Sequence, residues 1–151
     1  MLHTNDSFIS IKRKFIEVKD ETERYIIKPT ILMVDDNKAF LQSAVNFLNS
    51  HTEVKIIGTA ATGEEGLKKF YELNPDILLL DLSMPGIGGL QVIRMLKSQN
   101  VSAKIIIVTL YDTPEYSDLA KIAGADGFLP KSEFGTKIVS LINNLCNQQF
   151  A

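Results

Sequence analysis

The chain has 151 residues, enough for one domain with a real core, and its 45% hydrophobic and 23% charged residues are ordinary for a globular protein. A net charge of −2 offers no global field to draw in nucleic acid. A single cysteine, Cys146, excludes an internal disulfide framework, the opening Met-Leu-His-Thr-Asn-Asp lacks the order of a signal peptide, and runs such as Ile105–Val108 are far too short to span a bilayer, so a cytoplasmic protein away from membranes is expected.

Residues 1–28 form an extension whose pattern reads two ways. Phe8, Ile11, Phe15 and Val18 fit a helical stripe, and the same stretch fits a β-hairpin turning near Asp20. Lys12-Arg13-Lys14 is too short to argue for nucleic acid. From residue 29 to 151 short apolar runs alternate with helical patterns. Thr30–Val34 is a strand that ends in Asp35-Asp36, followed by a helix over Lys38–Asn49 with Phe40, Leu41, Ala44, Val45 and Leu48 on one stripe. Val54–Ala60 is a second strand. Thr62, with Glu65 as reciprocal partner, opens a helix to Leu73. Asp76–Leu80 is an aliphatic third strand, with its helix over Gly89–Ser98. Lys104–Thr109, with Ile-Ile-Ile-Val inside it, suits a central strand buried on both faces. Thr113 as cap and Pro114 at the first helical position open a helix to Ala123, which Gly124 stops. Gly127–Leu129 is a short fifth strand, and Ser132 is placed to cap a last helix to Asn147.

Five βα units in succession argue for an α/β fold, a doubly wound five-stranded parallel sheet with helices on both faces. All strand C-termini then lie along one edge, where such sheets bind ligands. The residues placed there are polar: Asp35-Asp36 after the first strand, Asp81 after the third, Thr109 ending the fourth and Lys131 after the fifth. Three carboxylates in one crevice repel one another unless a hard cation offsets them. Mg²⁺ takes oxygen ligands and keeps several waters, which leaves room for a phosphate oxygen. A carboxylate can attack phosphorus to form an aspartyl phosphate, with the metal and Lys131 offsetting charge and Thr109 donating a hydrogen bond. No Gly-x-x-x-x-Gly-Lys loop or kinase signature is present, so the phosphoryl donor is external.

Asp35-Asp36, Asp81-Leu-Ser-Met-Pro-Gly86, Thr109, and Gly124-Ala-Asp-Gly-Phe-Leu-Pro-Lys131, taken in order, resemble the receiver domain of two-component response regulators over about residues 30–147. The resemblance implies a (βα)5 sheet in the flavodoxin-like order 2-1-3-4-5. It implies Asp81 as phosphoacceptor, assisted by Lys131 and Thr109. Mg²⁺, or Mn²⁺ in its place, would be held by the side chains of Asp36 and Asp81, by the backbone carbonyl of Ser83, and by Asp35 through water. Thr109 and Phe128 would be the switch pair, repacking a surface made by helix four, strand five and helix five. A sensor histidine kinase or phosphotransfer protein would supply the phosphoryl group, and a downstream protein or a second copy would read the surface. Such a module turns over no separate substrate. After the last helix the chain ends in Gln148-Gln149-Phe150-Ala151 without a helix-turn-helix, so no DNA-binding domain is expected in this chain, which is either a stand-alone receiver or a fragment of a longer regulator.

The sequence departs from the family pattern at two places. The residue after the switch threonine is commonly small, and here it is Leu110, whose bulk narrows access to the phosphoryl site. A proline commonly follows the lysine, and here Ser132 follows while Pro130 precedes. A flavin carrier on the same fold is excluded because Asp35-Asp36 would repel the flavin phosphate. A dehalogenase-type phosphohydrolase needs a second acid where Ser83 stands. The alternative is a degenerate receiver that acts as a phosphorylation-independent interaction domain. His3 and His51 have no ligand-forming neighbours, and Cys146 lies in an apolar helical stripe.

Overall fold

The computed structural model describes residues 17–18, 24–25, 28–51 and 53–147. Five βα units follow one another: β1 (Thr30–Val34), α1 (Lys38–Asn49), β2 (Lys55–Ala60), α2 (Gly63–Leu73), β3 (Ile77–Leu80), α3 (Gly89–Lys97), β4 (Lys104–Thr109), α4 (Pro114–Ala123), β5 (Gly127–Pro130) and α5 (Phe134–Asn147). The strands form one parallel sheet in the order β2-β1-β3-β4-β5, the expected doubly wound arrangement.

Alternation along the buried strands sorts the core into two layers. Leu32, Val34, Leu78, Leu80, Ile105 and Ile107 face α2, α3 and α4, where Leu67, Phe70, Ile93 and Leu96 complete one cluster. Ile31, Met33, Ile77, Leu79, Ile106 and Val108 face the opposite way, onto Ala44 and Leu48 of α1 and Phe134, Ile138 and Ile142 of α5. Each fully buried aliphatic side chain removes apolar area worth about 1.5–3 kcal/mol from water, so the central strands anchor the fold. Cys146 belongs to the second layer, and burial, reinforced by the Asp76 carboxylate, pushes its thiol up to about 12, which makes it a packing residue.

Local signals account for most helix ends. Asn37 caps α1 by accepting from the Phe40 N–H at 3.0 Å. Thr62 caps α2 by accepting from the Glu65 N–H at 3.0 Å. The reciprocal bond of Glu65 goes to the N–H of Ala61 at 2.8 Å, one residue before the cap. Gly124, with φ of 113°, ends α4 in the left-handed region that glycine enters without strain.

One expected cap keeps its place and one is corrected. Thr113 stands at the N-cap of α4 but makes no side-chain cap bond there, and Pro114 at the first position carries the start. Ser132 does not cap α5. It lies inside a 3-10 turn, Lys131–Glu133, that feeds directly into the helix at Phe134. Where the sequence suggested Asp76–Leu80 and Val54–Ala60 as strands, Asp76 and Val54 lie one residue outside; Asp76 instead accepts from the Thr30 N–H at 2.8 Å and from the Thr30 hydroxyl at 3.0 Å.

Before the sheet, Glu17–Val18 pairs antiparallel with Arg24–Tyr25, the pairing required by the hairpin alternative. The rest of the Phe8–Val18 stripe and the turn near Asp20 lie outside the described residues. Among the described residues no helix is long and apolar enough to cross a membrane.

Candidate functional site

The C-terminal edge of the sheet holds a polar crevice of about 290 Å³, lined by Asp36, Asn37, Asp81, Ser83, Thr109, Leu110, Tyr111 and Lys131. Backbone ladder bonds carry its carboxylates into place. The Asp35 N–H donates to the Ala60 carbonyl at 3.0 Å, and the Asp81 N–H donates to the Val34 carbonyl at 2.9 Å. Both aspartates therefore continue the sheet register by one residue beyond their strands. At the start of α3, Gly89 lies so close that a Cβ there would run into the Asp81 carbonyl oxygen, so only glycine lets this helix approach.

Asp35 is buried and both its oxygens are engaged. Oδ2 pairs with Lys131 Nζ at 2.8 Å, and Oδ1 accepts from the Asn37 N–H at 2.8 Å. Lys131 Nζ also lies 3.7 Å from Asp81 Oδ2 and 4.5 Å from the centroid of the Phe40 ring. Asp36 is exposed at the mouth, and ligand atoms of Asp35, Asp36 and Asp81 lie within 4.8 Å of one another. Thr109 is fully buried, and its hydroxyl accepts from the Tyr111 N–H at 3.3 Å. Leu110 stands at the rim, 73% exposed.

Electrostatics single out Asp81. Burial is the largest influence, the neighbouring Asp35 adds to it, and together they push the Asp81 carboxyl up from 3.8 to about 6. Lys131 and the backbone N–H of Ser83 pull it back down, and Asp36 pushes it up further. The Lys131 ammonium thus meets two of the three clustered carboxylates, Asp35 and Asp81. Such a donor set fits a hard, oxygen-seeking divalent cation. With Asp35 already holding Lys131 and the Asn37 N–H, Asp36 and Asp81 are the carboxylates open to it.

The structure brings Asp35, Asp36, Asp81, Ser83, Thr109, Leu110 and Lys131 together as the sequence suggested. Phe128 does not line the crevice. It is half-buried on β5, beside a separate cavity of about 70 Å³ that Ser117, Ala120 and Ala125 help to line. Sequence reasoning missed three neighbours of the site. Asn37 donates its N–H to Asp35, a bond within reach of the Asp-Asp-Asn order. Tyr111 forms part of the wall two residues after Thr109, and Phe40 reads from its spacing as a core residue of its helix while its ring also meets Lys131.

The profile of the response regulator receiver domain matches residues 31–143. The chain belongs to the response regulator receiver family of two-component signalling. The receiver is 32% identical over 102 residues to the nitrate/nitrite response regulator protein NarL of Escherichia coli K12, covering 68% of this chain and 47% of that protein. It is 34% identical over 112 residues to the response regulator GacA of Pseudomonas viridiflava, covering 74% of this chain and 52% of that one. The chain thus spans about half the length of the curated relatives it matches. Among solved structures, the signal receiver domain of a NarL response regulator from Mycobacterium tuberculosis superposes with a TM-score of 0.75 at 29% identity, covering 80% of this chain and 97% of that one. A CheY-like receiver domain protein from Methanospirillum hungatei JF-1 gives 0.73 at 28% identity, covering 81% and 96%.

Proposed function

We propose that residues 29–151 form a phosphoacceptor switch that takes a phosphoryl group on Asp81 in a Mg²⁺-dependent reaction, with residues 1–28 as a separate extension. The observation that carries this reading is the pairing of a buried carboxylate, Asp81, with a lysine 3.7 Å away, inside a crevice that two further carboxylates share.

In this reading Asp36, Asp81 and the Ser83 carbonyl would hold Mg²⁺, or Mn²⁺ in its place, with Asp35 acting on it indirectly. When bound, the metal offsets charge as the two anions meet. An Asp81 carboxylate oxygen forms the bond to phosphorus while the bond from phosphorus to the donor's leaving group breaks, and the leaving group departs with its electron pair. Lys131 turns from Asp35 toward the transferred oxygens, and Thr109 exchanges the Tyr111 N–H for a bond donated to the phosphoryl group. Phe128 then moves in its half-buried seat, and the surface of α4, β5 and α5 repacks for a partner protein or a second copy. A phosphohistidine on a sensor kinase or phosphotransfer protein is the donor, in the cytoplasm. The chain modifies itself and turns over no other substrate.

The test is intact mass after incubation with Mg²⁺ and a small acyl phosphate. Wild type should gain one acid-stable, hydroxylamine-labile phosphoryl group, and Asp81→Asn none. An unlabelled wild type would leave the degenerate-receiver reading standing, and equal labelling of both proteins would move the acceptor elsewhere.

A further inference from the structure

Lys131 is held from two sides by the start of one helix. The Asp35 carboxylate pairs with Lys131 and accepts from the Asn37 N–H, both at 2.8 Å. The Asn37 side chain accepts from the Phe40 N–H at 3.0 Å, and the Phe40 ring comes back over Lys131 Nζ at 4.5 Å. Asp35, Asn37, Phe40 and Lys131 therefore close a ring of contacts. A second brace comes from the lysine's own turn. Phe134, three residues after Lys131 and buried, meets Phe40 edge to face with centroids 5.5 Å apart. The Phe40 ring is thus fixed by Phe134 while its face is turned to the ammonium. Lys131 lines both the acidic crevice and a groove that Phe40, Phe47 and Phe134 help to line.

The geometry points to Phe40 as a positioning residue for the phosphoryl transfer, acting through Lys131; this rests on the proposed role of Asp81 as acceptor. A bond to Asp35 alone would hold the ammonium at a carboxylate that takes no part in bond formation. A ring face attracts a cation without asking for a fixed hydrogen-bond direction. Nζ can therefore swing between Asp35 and the oxygens on Asp81 without leaving the ring. An aliphatic side chain of similar size would fill the space and offer no such attraction. The stripe of α1 accounts for a large apolar residue at this position. It does not account for an aromatic face set against the one lysine of the site.

The experiment compares wild type, Phe40→Leu and Phe40→Tyr. In the metal-free protein the ε-methylene protons of Lys131, identified by their loss in Lys131→Met, should show an upfield ring-current shift. That shift should persist in Phe40→Tyr and vanish in Phe40→Leu. With Mg²⁺ and a small acyl phosphate, Phe40→Leu should label about three- to tenfold more slowly, Phe40→Tyr should stay near wild type, and Mg²⁺ affinity should be unchanged in both. Labelling of Phe40→Leu at the wild-type rate would overturn the positioning role and leave Asp81 standing as acceptor. Loss of rate and Mg²⁺ affinity together, without rescue by tyrosine, would mean that Phe40 is packing alone. Absence of the ring-current shift in wild type would overturn the contact itself. A wild type that takes no label at all would overturn the acceptor reading, and the positioning role with it.

Discussion

The two edges of the same sheet use aspartate in opposite ways. At the N-terminal edge, Asp76 accepts from the Thr30 N–H and hydroxyl, while its own N–H donates to that hydroxyl at 3.0 Å. Asp126, at the same edge, accepts from the Ile105 N–H at 2.8 Å and pairs with Lys97 at 3.2 Å. These carboxylates staple strand starts together, each with donors of its own. At the C-terminal edge three carboxylates crowd one lysine, and Asp81 is pushed up to about 6 by burial and by Asp35. A carboxylate supplied with backbone donors stabilises the fold. One buried beside other carboxylates lowers the stability of the resting fold and is ready to bind a cation or react.

The sharpest way to break this comparison is to remove a staple. Asp76→Ala takes two charge-assisted hydrogen bonds from Thr30 at the start of β1. Hydrogen bonds to a charged group contribute on the order of 1.5–3 kcal/mol each, and these two are only part-buried, so the variant should lose about 2–4 kcal/mol in urea unfolding. The Asp81 phosphorylation chemistry, at the other end of the strands, should survive in the folded fraction. A loss below about 0.5 kcal/mol would mean that water replaces the carboxylate freely and that the staple is weak.

Removing the reactive carboxylate should do the opposite. The Asp81 carboxyl is raised from 3.8 to about 6, so between those values the native state keeps a proton that the unfolded chain has released. Its stabilising contribution is therefore complete below about pH 4 and is lost as pH rises through about 6. Asp81→Asn carries no such titration. In metal-free buffer at pH 7 it should be more stable than wild type by up to about 3 kcal/mol, the rise from 3.8 to about 6 counted at about 1.4 kcal/mol per unit, and most of the gap should be gone by pH 4. A gap that is constant with pH would trace the effect to packing of the amide instead of to the buried charge.

The unequal legibility of the two edges in the sequence has a physical origin. The aliphatic run Ile77–Leu80, the proline at the start of α4 and the glycine after it are local signals, so these elements could be placed from neighbours alone. A parallel sheet then sends every strand end to one side, which gathers Asp35, Asp36, Asp81, Thr109 and Lys131 without any knowledge of distances. The staples were not legible, because the partner of Asp76 lies 46 residues away at the start of another strand. Ser132 misled for a related reason. A cap residue before a helical pattern says nothing of whether a 3-10 turn intervenes, and here one does. Phe40 shows the same limit within a helix: its spacing gives the face on which it lies, while the ammonium it meets belongs to a turn ninety-one positions onward.

The smallest expected effect concerns the rim of the reactive edge. Leu110 follows the buried Thr109, lines the crevice, and is 73% exposed. A side chain so placed covers only part of the path that water takes to an aspartyl phosphate. Trimming it should therefore change the phosphoryl lifetime modestly and should leave the fold almost unaffected, since little apolar area is lost from the core. With Asp81 labelled and free donor removed, Leu110→Ala should lose the phosphoryl group about two- to threefold faster than wild type, followed by intact mass at fixed Mg²⁺; the effect is held to that size because a half-open rim cannot shift a barrier by much more than about 0.5 kcal/mol. An unchanged decay rate would place the control of lifetime deeper in the crevice, with Thr109, Tyr111 or Lys131, and would reduce Leu110 to an exposed side chain beside the site.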